Sequence, residues 1–233
     1  VTPDGRPLLW KNRDTDFMRN HIDYVKGEKY NFIAVVNSAN AYLKEAWMGT
    51  NSAGFALMNT QSYNLVDIKG DEERGAANGR VIYRALEVCA TVADFCYFLD
   101  TISKPSDIEA NFGVIDAQGG AAMFEVDYYK YVMYDANNPK DAPYGYIART
   151  NFSFAGKVNE GAGYVRYMEA DQVLMKASAT GSITPQFIFN DLSRSFRNRM
   201  LDIDLRSGAY NRPQASGWFV DQDFIPRSST SCS

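Results

Sequence analysis

The chain has 233 residues, is 45% hydrophobic and 14% aromatic, and carries a formal net charge of −4 with a pI near 5.1. That length suits one large domain or two small ones, with enough apolar residues for a sizeable core. The acidic balance argues against a nucleic-acid footprint, and no run approaches the roughly 18 consecutive apolar residues of a membrane span.

The chain opens on turn chemistry, Thr2–Arg6 (TPDGR), and then a short apolar run, Pro7–Asn12, that reads as a strand. The run leads directly into Lys11, Arg13, Asp14 and Asp16, four ionisable residues within six. Charges at the end of a buried strand are paired or used. The plain reading is a solvated strand end with a local ion pair; the sharper one is a charged cluster around a reactive group. Thr15–Lys29 reads as loop or short helix, Asn31–Val36 as a strand, and Ala46–Gly49 with Gly54–Asn59 as a hairpin. Asp71–Gly79 reads as loop. Arg80–Ala90 carries apolar residues at helical spacing, and Thr91 with Asp94 resembles a capping box opening a second helix to about Thr101. Phe112–Asp116 and Ala121–Asp127 flank Gln118-Gly119-Gly120 as a second hairpin, followed by a strand candidate at Tyr129–Tyr134. Asn137–Pro143 is loop, and Tyr146–Asn151 reads as an extended stretch ending on a polar step. A helical run covers Gly161–Ser178, and Thr184-Pro185 starts another helix with a face through Phe196. Arg194, Arg197 and Arg199 then form the solvated side of that helix. Asn211–Trp218 is loop, and a final strand begins near Phe219.

Strands and helices come in blocks and do not alternate one by one, which predicts an α+β fold with helices layered on sheets. Nothing splits the chain, so 1–233 is expected to be a single domain. The one histidine, His21, lies in the polar segment RNHIDY and reads as surface. That argues against an imidazole base and excludes a zinc site built on several imidazoles. Cys89 and Cys96, seven apart in a helical pattern, would sit roughly 10 Å apart on one face, too far for a disulfide. No CxxC, GxGxxG or P-loop pattern occurs, and no cofactor or metal is expected.

Three polar groups fall at expected strand ends: Asp14, Asn59 and Asn151. Read singly, each is a turn former or cap. Together they could hold an amine and stabilise an oxyanion. Four ordered blocks carry a resemblance: DGRPLLWKNRDTD, WMGTNSAGFALMNTQSYN, NFGVIDAQGGAAMFEVD and IARTNFSF, with DFIPRSSTS near the end. They resemble the N-terminal-nucleophile (Ntn) amide hydrolases, nearest the choloylglycine hydrolase, penicillin V acylase and acyl-coenzyme A:6-aminopenicillanic acid acyltransferase group, from about Asp4 to Thr230. The resemblance implies a four-layer αββα sandwich and a processed N-terminal Cys whose own α-amino group is the base. That base suits a chain so poor in histidine, since an α-amine titrates near 7.7–8.0.

Carried over by position, Asp14 matches the Asp that holds the nucleophile's amine and thiol. Lys11 falls where many relatives have Arg, and Arg13 is the alternative source of that fork. Asn59 matches the backbone oxyanion donor and Asn151 the side-chain donor. Arg227 matches a late Arg supporting the nucleophile. The chain departs from the pattern at its start: residue 1 is Val, and the matching Cys would lie roughly ten residues upstream of the TPDGR turn. This implies that the first strand and the last strands of the sandwich lie outside these 233 residues. Cys232, in SSTSCS, is a poor substitute. The implied activity is hydrolysis of a linear amide in an N-acylated small molecule: a bile-salt conjugate, an acyl amino acid or a penicillin-like amide. An acyltransferase on the same scaffold, a non-catalytic small-molecule binder, and a chance match in another α+β enzyme are the alternatives. Self-association and compartment stay open, export with a removed signal included.

Overall fold

The computed structural model of the protein describes residues 2–67, 75–207 and 221–233. The opening turn forms as expected. Gly5 takes φ +82°, and the Gly5 N–H donates to the Thr2 carbonyl at 2.9 Å. The first regular element, β1 (Arg13–Asp14), is two residues long.

The centre of the fold is a seven-stranded antiparallel sheet in which each strand pairs with the next in sequence. Its members are β2 (Asn20–Val25), β3 (Phe32–Asn37), β4 (Met48–Asn51), β5 (Ala56–Gln61), β6 (Ala110–Ile115), β7 (Ala121–Val126) and β8 (Tyr131–Asp135). Two helices, α1 (Asn78–Val88) and α2 (Val92–Thr101), intervene between β5 and β6 and cover one face. Alternate strand residues Phe32, Ala34, Leu57, Phe112 and Phe124 point at them and meet Val81, Ile82, Leu86, Phe95 and Leu99 in the main core. Phe95, fully buried, touches the rings of Phe55, Phe98, Phe112 and Phe124 at centroid separations of 5.1–6.2 Å. The capping box forms: Thr91 Oγ1 accepts from the Asp94 N–H at 3.0 Å, and Asp94 Oδ2 accepts from the Thr91 N–H at 3.0 Å.

The other face of the sheet looks toward α3 (Tyr164–Ala179) and α4 (Pro185–Phe187), the latter continuing into a π-helical turn over Ile188–Leu192. Thr184 caps α4 by accepting from the Phe187 N–H at 3.1 Å. Ala170, Leu174, Ala177, Ile188, Leu192 and Ile225 form a second core, against which Leu8, Trp10, Tyr146 and Ala148 pack. Between sheet and α3 run the segments around 7–14 and 146–151. Two short pairs complete the described residues: β9 (Arg197–Asn198) with β10 (Ile203–Asp204), and β11 (Thr230–Cys232) with β1. Among the described residues the stack is helices, the seven-stranded sheet, the short β1–β11 pair with its neighbouring segments, and helices again, the α+β order of the αββα sandwich that the resemblance implies.

Several local expectations change. Pro7–Asn12 does not enter a ladder; only Arg13 and Asp14 find a strand partner, in β11. Within Thr15–Lys29, Asn20–Val25 is an edge strand, with Ile22 and Tyr24 alternating against His21 and Asp23. His21 is exposed there and lies 3.1 Å from Ser38 Oγ. Tyr146–Asn151 is irregular, and Asn151 makes a single bridge to Ala162. Cys89 closes α1 while Cys96 lies in α2, so they share no helix face; both thiols are free. The helix after Thr184 ends at Leu192, short of Phe196. Arg197 sits in β9, and Arg199 meets the buried carboxylate of Glu169 at 2.6 Å. The loop expected at Asn211–Trp218, the strand start at Phe219 and the first part of Asp71–Gly79 fall outside the described residues.

Phe95→Ala is expected to cost about 3–5 kcal/mol, because it empties the point where five rings meet. Thr91→Ala, which removes one cap bond, is expected to cost about 1 kcal/mol. Urea midpoints of the two variants check the order; equal losses would contradict the packing described.

Candidate active site

A cavity of about 130 Å³ opens between the sheet and α3. Its polar wall holds Lys11, Asp14, Thr60, Asn151 and Arg166; its apolar wall holds Trp10, Met58, Met123, Ile147 and Leu174. Side chains from positions 14 and 151 thus reach one space, with Lys11 beside them.

Asp14 emerges from the last residue of β1, where pairing with β11 fixes the backbone. Its Oδ2 meets Arg227 Nη2 at 2.7 Å, and Oδ1 accepts from the hydroxyl of Thr230 in β11. Arg227 therefore joins the site through Asp14. Lys11 Nζ donates to the Trp47 carbonyl at 3.0 Å and to Asn59 Oδ1 at 2.9 Å. Burial, reinforced by the Arg13 guanidinium, pushes its ammonium down to about 7. Asn59 lies inside β5, opposite Phe112, and reaches the site through Lys11.

Arg13 points elsewhere. Only 3% exposed, it donates to Asn20 and Asn37 Oδ1, both at 2.6 Å, and stacks 5.1 Å above the Trp47 ring. Burial lowers its pKa to about 10, so it stays charged. It locks β1 to the sheet edge and leaves the cavity to Lys11.

Asn151 is fixed in orientation. A guanidinium can only donate, so the Arg166 Nη2 contact at 2.5 Å identifies Oδ1 as the acceptor. Nδ2 then donates to the Gln61 carbonyl at 2.9 Å and, less closely, to Thr60 Oγ1 at 3.3 Å. The segment carrying Asn151 has no ladder to hold it, and buried side chains do so instead. Asn111 Nδ2 donates to the carbonyls on both sides of Asn151: Thr150 at 3.1 Å and Phe152 at 3.0 Å. Ser153 is held by Asn64, Ser62 and Asn111. The Arg149–Glu125 pair, 2.6 Å apart and almost wholly buried, anchors the segment's start, and Glu125 also accepts the Phe154 and Ala155 N–H groups.

Sequence reasoning missed Arg166, Asn111 and the Glu125–Arg149 pair. Arg166 sits on α3 at a position that a helical wheel assigns no special role. It is 6% exposed, with a pKa brought down to about 10 by burial and by neighbouring Arg227. Its one sequence cue was a cation inside an otherwise weakly amphipathic helix.

The fold and this side-chain arrangement define an Ntn-hydrolase-type sandwich. The model for the acyl-coenzyme A:6-aminopenicillanic acid acyl-transferase family matches residues 1–180, and the chain belongs to that family. Among solved structures, it is similar to a Caenorhabditis elegans N-acylethanolamine-hydrolyzing acid amidase ortholog (14% identity, 78% of this chain, 82% of that one, TM-score 0.53). It is also similar to a variant of conjugated bile acid hydrolase from Clostridium perfringens (14% identity, 82% and 72% covered, TM-score 0.46). Penicillin V acylase from Agrobacterium tumefaciens is a third (14% identity, 75% and 67% covered, TM-score 0.43). No curated protein sequence matches.

Two measurements test this geometry. Asn111→Leu is expected to cost about 1–3 kcal/mol in urea unfolding, since it leaves the Phe152 carbonyl without its donor while the Thr150 carbonyl keeps the Thr60 hydroxyl; a loss under about 0.5 kcal/mol would contradict the clamp. Lys11 has a folded-state pKa below its unfolded value of 10.5. Its buried charge therefore weighs fully against folding below about pH 7, and the penalty fades as pH rises toward 10.5. The stability difference between the parent and Lys11→Met should move in the parent's favour from pH 6 to pH 9. A gap that does not change with pH counts against the burial of this amine.

Proposed function

We propose that this chain forms the scaffold and polar half of a cysteine-dependent hydrolase of linear amides in N-acylated small molecules, organised as one domain over 1–233. The observation that carries the proposal is the meeting of Lys11, Asp14 and Asn151 around one cavity, with Arg227 bound to Asp14. The nucleophile is an N-terminal Cys supplied from outside these 233 residues.

In this reading Asp14 accepts from the α-ammonium of that Cys, with Arg227 steering the carboxylate. The neutral α-amine takes the thiol proton, and the thiolate attacks the amide carbonyl. Negative charge then develops on the carbonyl oxygen. The Asn151 N–H that makes only the long 3.3 Å contact to Thr60 is the donor offered to it, while the Gln61 bond keeps the amide in place. The Asn59 N–H is the second donor. The Asn51 N–H bonds the Phe55 carbonyl, so by antiparallel alternation the Asn59 N–H is directed toward the β4 side, past Met48 where β4 starts. The protonated amine passes its proton to the leaving nitrogen, the C–N bond breaks, and a thioester remains. Water, deprotonated by the same amine, hydrolyses it. An acyltransferase differs only in the acceptor: a second amine takes the place of water, which the matched family model favours keeping in view.

The test uses protein carrying the upstream Cys and a panel of bile-salt conjugates, penicillin V and acyl amino acids. Asn151→Ala should lower turnover about 10²–10³-fold in protein that still folds, with a lowered melting temperature because Arg166 and the Gln61 carbonyl each lose a partner. Unchanged turnover would refute the assigned role, and loss of activity on adding chelator would refute the metal-free chemistry. Adding a nucleophilic amine and scoring amide formation separates transfer from hydrolysis.

A further inference from the structure

Lys11, Arg149 and Arg166 line the cavity, and of these only Lys11 can shed its proton in water. Its Nζ donates to the Trp47 carbonyl at 3.0 Å and to Asn59 Oδ1 at 2.9 Å. Both acceptors are neutral, and among the described residues Lys11 makes no ion pair. The charged groups around it do not hold the proton in place. Arg13 repels an ammonium, while Asp14 and Cys232 of β11 act in the opposite sense. Asp14 is committed to Arg227 at 2.7 Å and Arg149 to Glu125 at 2.6 Å, and Arg166 is a fixed cation on which Asp14 and Asp223 act. Burial outweighs these and brings Lys11 down to about 7, so near neutrality about half of the molecules hold a free amine there. A neutral amine has two N–H donors and one lone pair. The two donors match the two oxygens already bound, and the lone pair takes the remaining direction.

We propose that Lys11 is a covalent acylation site, its Nζ taking the acyl group of an acyl thioester that enters this cavity. The lone pair forms the C–N bond, the C–S bond breaks, and the proton lost from nitrogen goes to the departing sulfur. Thioesters are the fitting class because an amine displaces a thiolate unaided near neutrality, whereas an amide or an alkyl ester needs a catalyst. The product is an amide that keeps one N–H for Trp47 or Asn59. Its acyl chain lies along Trp10, Met58, Met123, Ile147 and Leu174, an apolar wall shared with a second cavity of about 140 Å³. The step uses no upstream Cys, so it stands apart from the hydrolase reading.

The test uses the 233-residue chain and S-hexanoyl-N-acetylcysteamine, a small soluble thioester. After reaction at pH 7, hydroxylamine strips acyl groups from cysteine, and peptide mass spectrometry maps the amides that remain. Lys11 should be hexanoylated at least about 10-fold faster than any other lysine, since an ordinary lysine is neutral in roughly one of a few thousand molecules at that pH. Its rate should rise with pH to about 8 and then level, while the other lysines gain about tenfold per pH unit. The S-acetyl counterpart should favour Lys11 over the other lysines about tenfold less than the hexanoyl thioester does, because it leaves the apolar wall empty. Asn59→Asp, which sets a carboxylate against Nζ, should cut labelling of Lys11 by about tenfold or more and leave the other lysines unchanged. If that variant fails to fold, the pH profile of the parent carries the test. Labelling of Lys11 no faster than of the other lysines overturns the proposal. So does a rate at Lys11 that still climbs tenfold per unit beyond pH 9.

Discussion

The site depends on one constraint: an irregular backbone segment is buried between a sheet and a helix, and its polar groups must be satisfied without a ladder. The stretch from Arg149 to Ala155 meets that demand with side chains. Asn111 takes the carbonyls on either side of Asn151, and Glu125 takes two N–H groups and the Arg149 guanidinium. Asn64 and Ser62 hold Ser153. A strand would have given Asn151 the alternating direction of its neighbours. This cradle lets its amide face the cavity with an orientation set by Arg166. The cost is a dense buried polar network, stable only while every member keeps its partners.

The two faces of the seven-stranded sheet divide the work. Toward α1 and α2 the strands present Phe and Leu side chains, and the core is continuous from Phe32 to Val126. Toward α3 the same strands present Met58, Thr60, Gly113 and Met123. Gly113 stands mid-strand, where glycine weakens a ladder. A Cβ there would come within 2.6 Å of Met58 and 2.8 Å of Leu9, so the missing side chain is what lets the 7–12 segment lie against β6. That close approach brings Lys11 to Asn59 and delivers Asp14 to the cavity. Stability is concentrated on one face, and the other can carry charge and space.

How much of this was legible in the sequence follows from where the signals are local. The capping box at Thr91 and Asp94, the helix start at Thr184-Pro185 and both hairpins each depend on residues within a few positions, and they formed. Asp14, Asn59 and Asn151 were singled out by motif blocks. Their meeting is a long-range event, joining residues 14 and 227 or 59 and 11, that no spacing encodes. Pro7–Asn12 has strand composition but no partner among the described residues, and composition does not report pairing. Asn20–Val25 was the reverse: an edge strand whose alternating Ile22 and Tyr24 are exposed, so that it pairs with β3 without burying an apolar face of its own. Asn111 carried no local sign and Arg166 only the weak one of a cation within a weakly amphipathic helix, because their roles come from what packs against them.

The arginines around the site show why residue type alone could not assign roles. Arg13 and Lys11 are two apart, and either could have supplied the fork beside a nucleophile. The structure separates them by their acceptors. Arg13 has both of its terminal nitrogens on asparagine oxygens of β2 and β3 and an indole face beneath it, a geometry that suits a planar fork and ties β1 to the sheet edge. Lys11, a point charge on a flexible stem, reaches two oxygens near the start of β4 and lines the cavity instead. An ammonium at position 13, a single point donor, would not span Asn20 and Asn37 as the Arg13 fork does. The order Lys-Asn-Arg-Asp is therefore a division between fastening and facing. Lys11, Asn12 and Asp14 all line the cavity, and the register shift between Arg13 and Asp14 in the β1–β11 pair goes with Asp14 facing the cavity while Arg13 is held at the sheet edge.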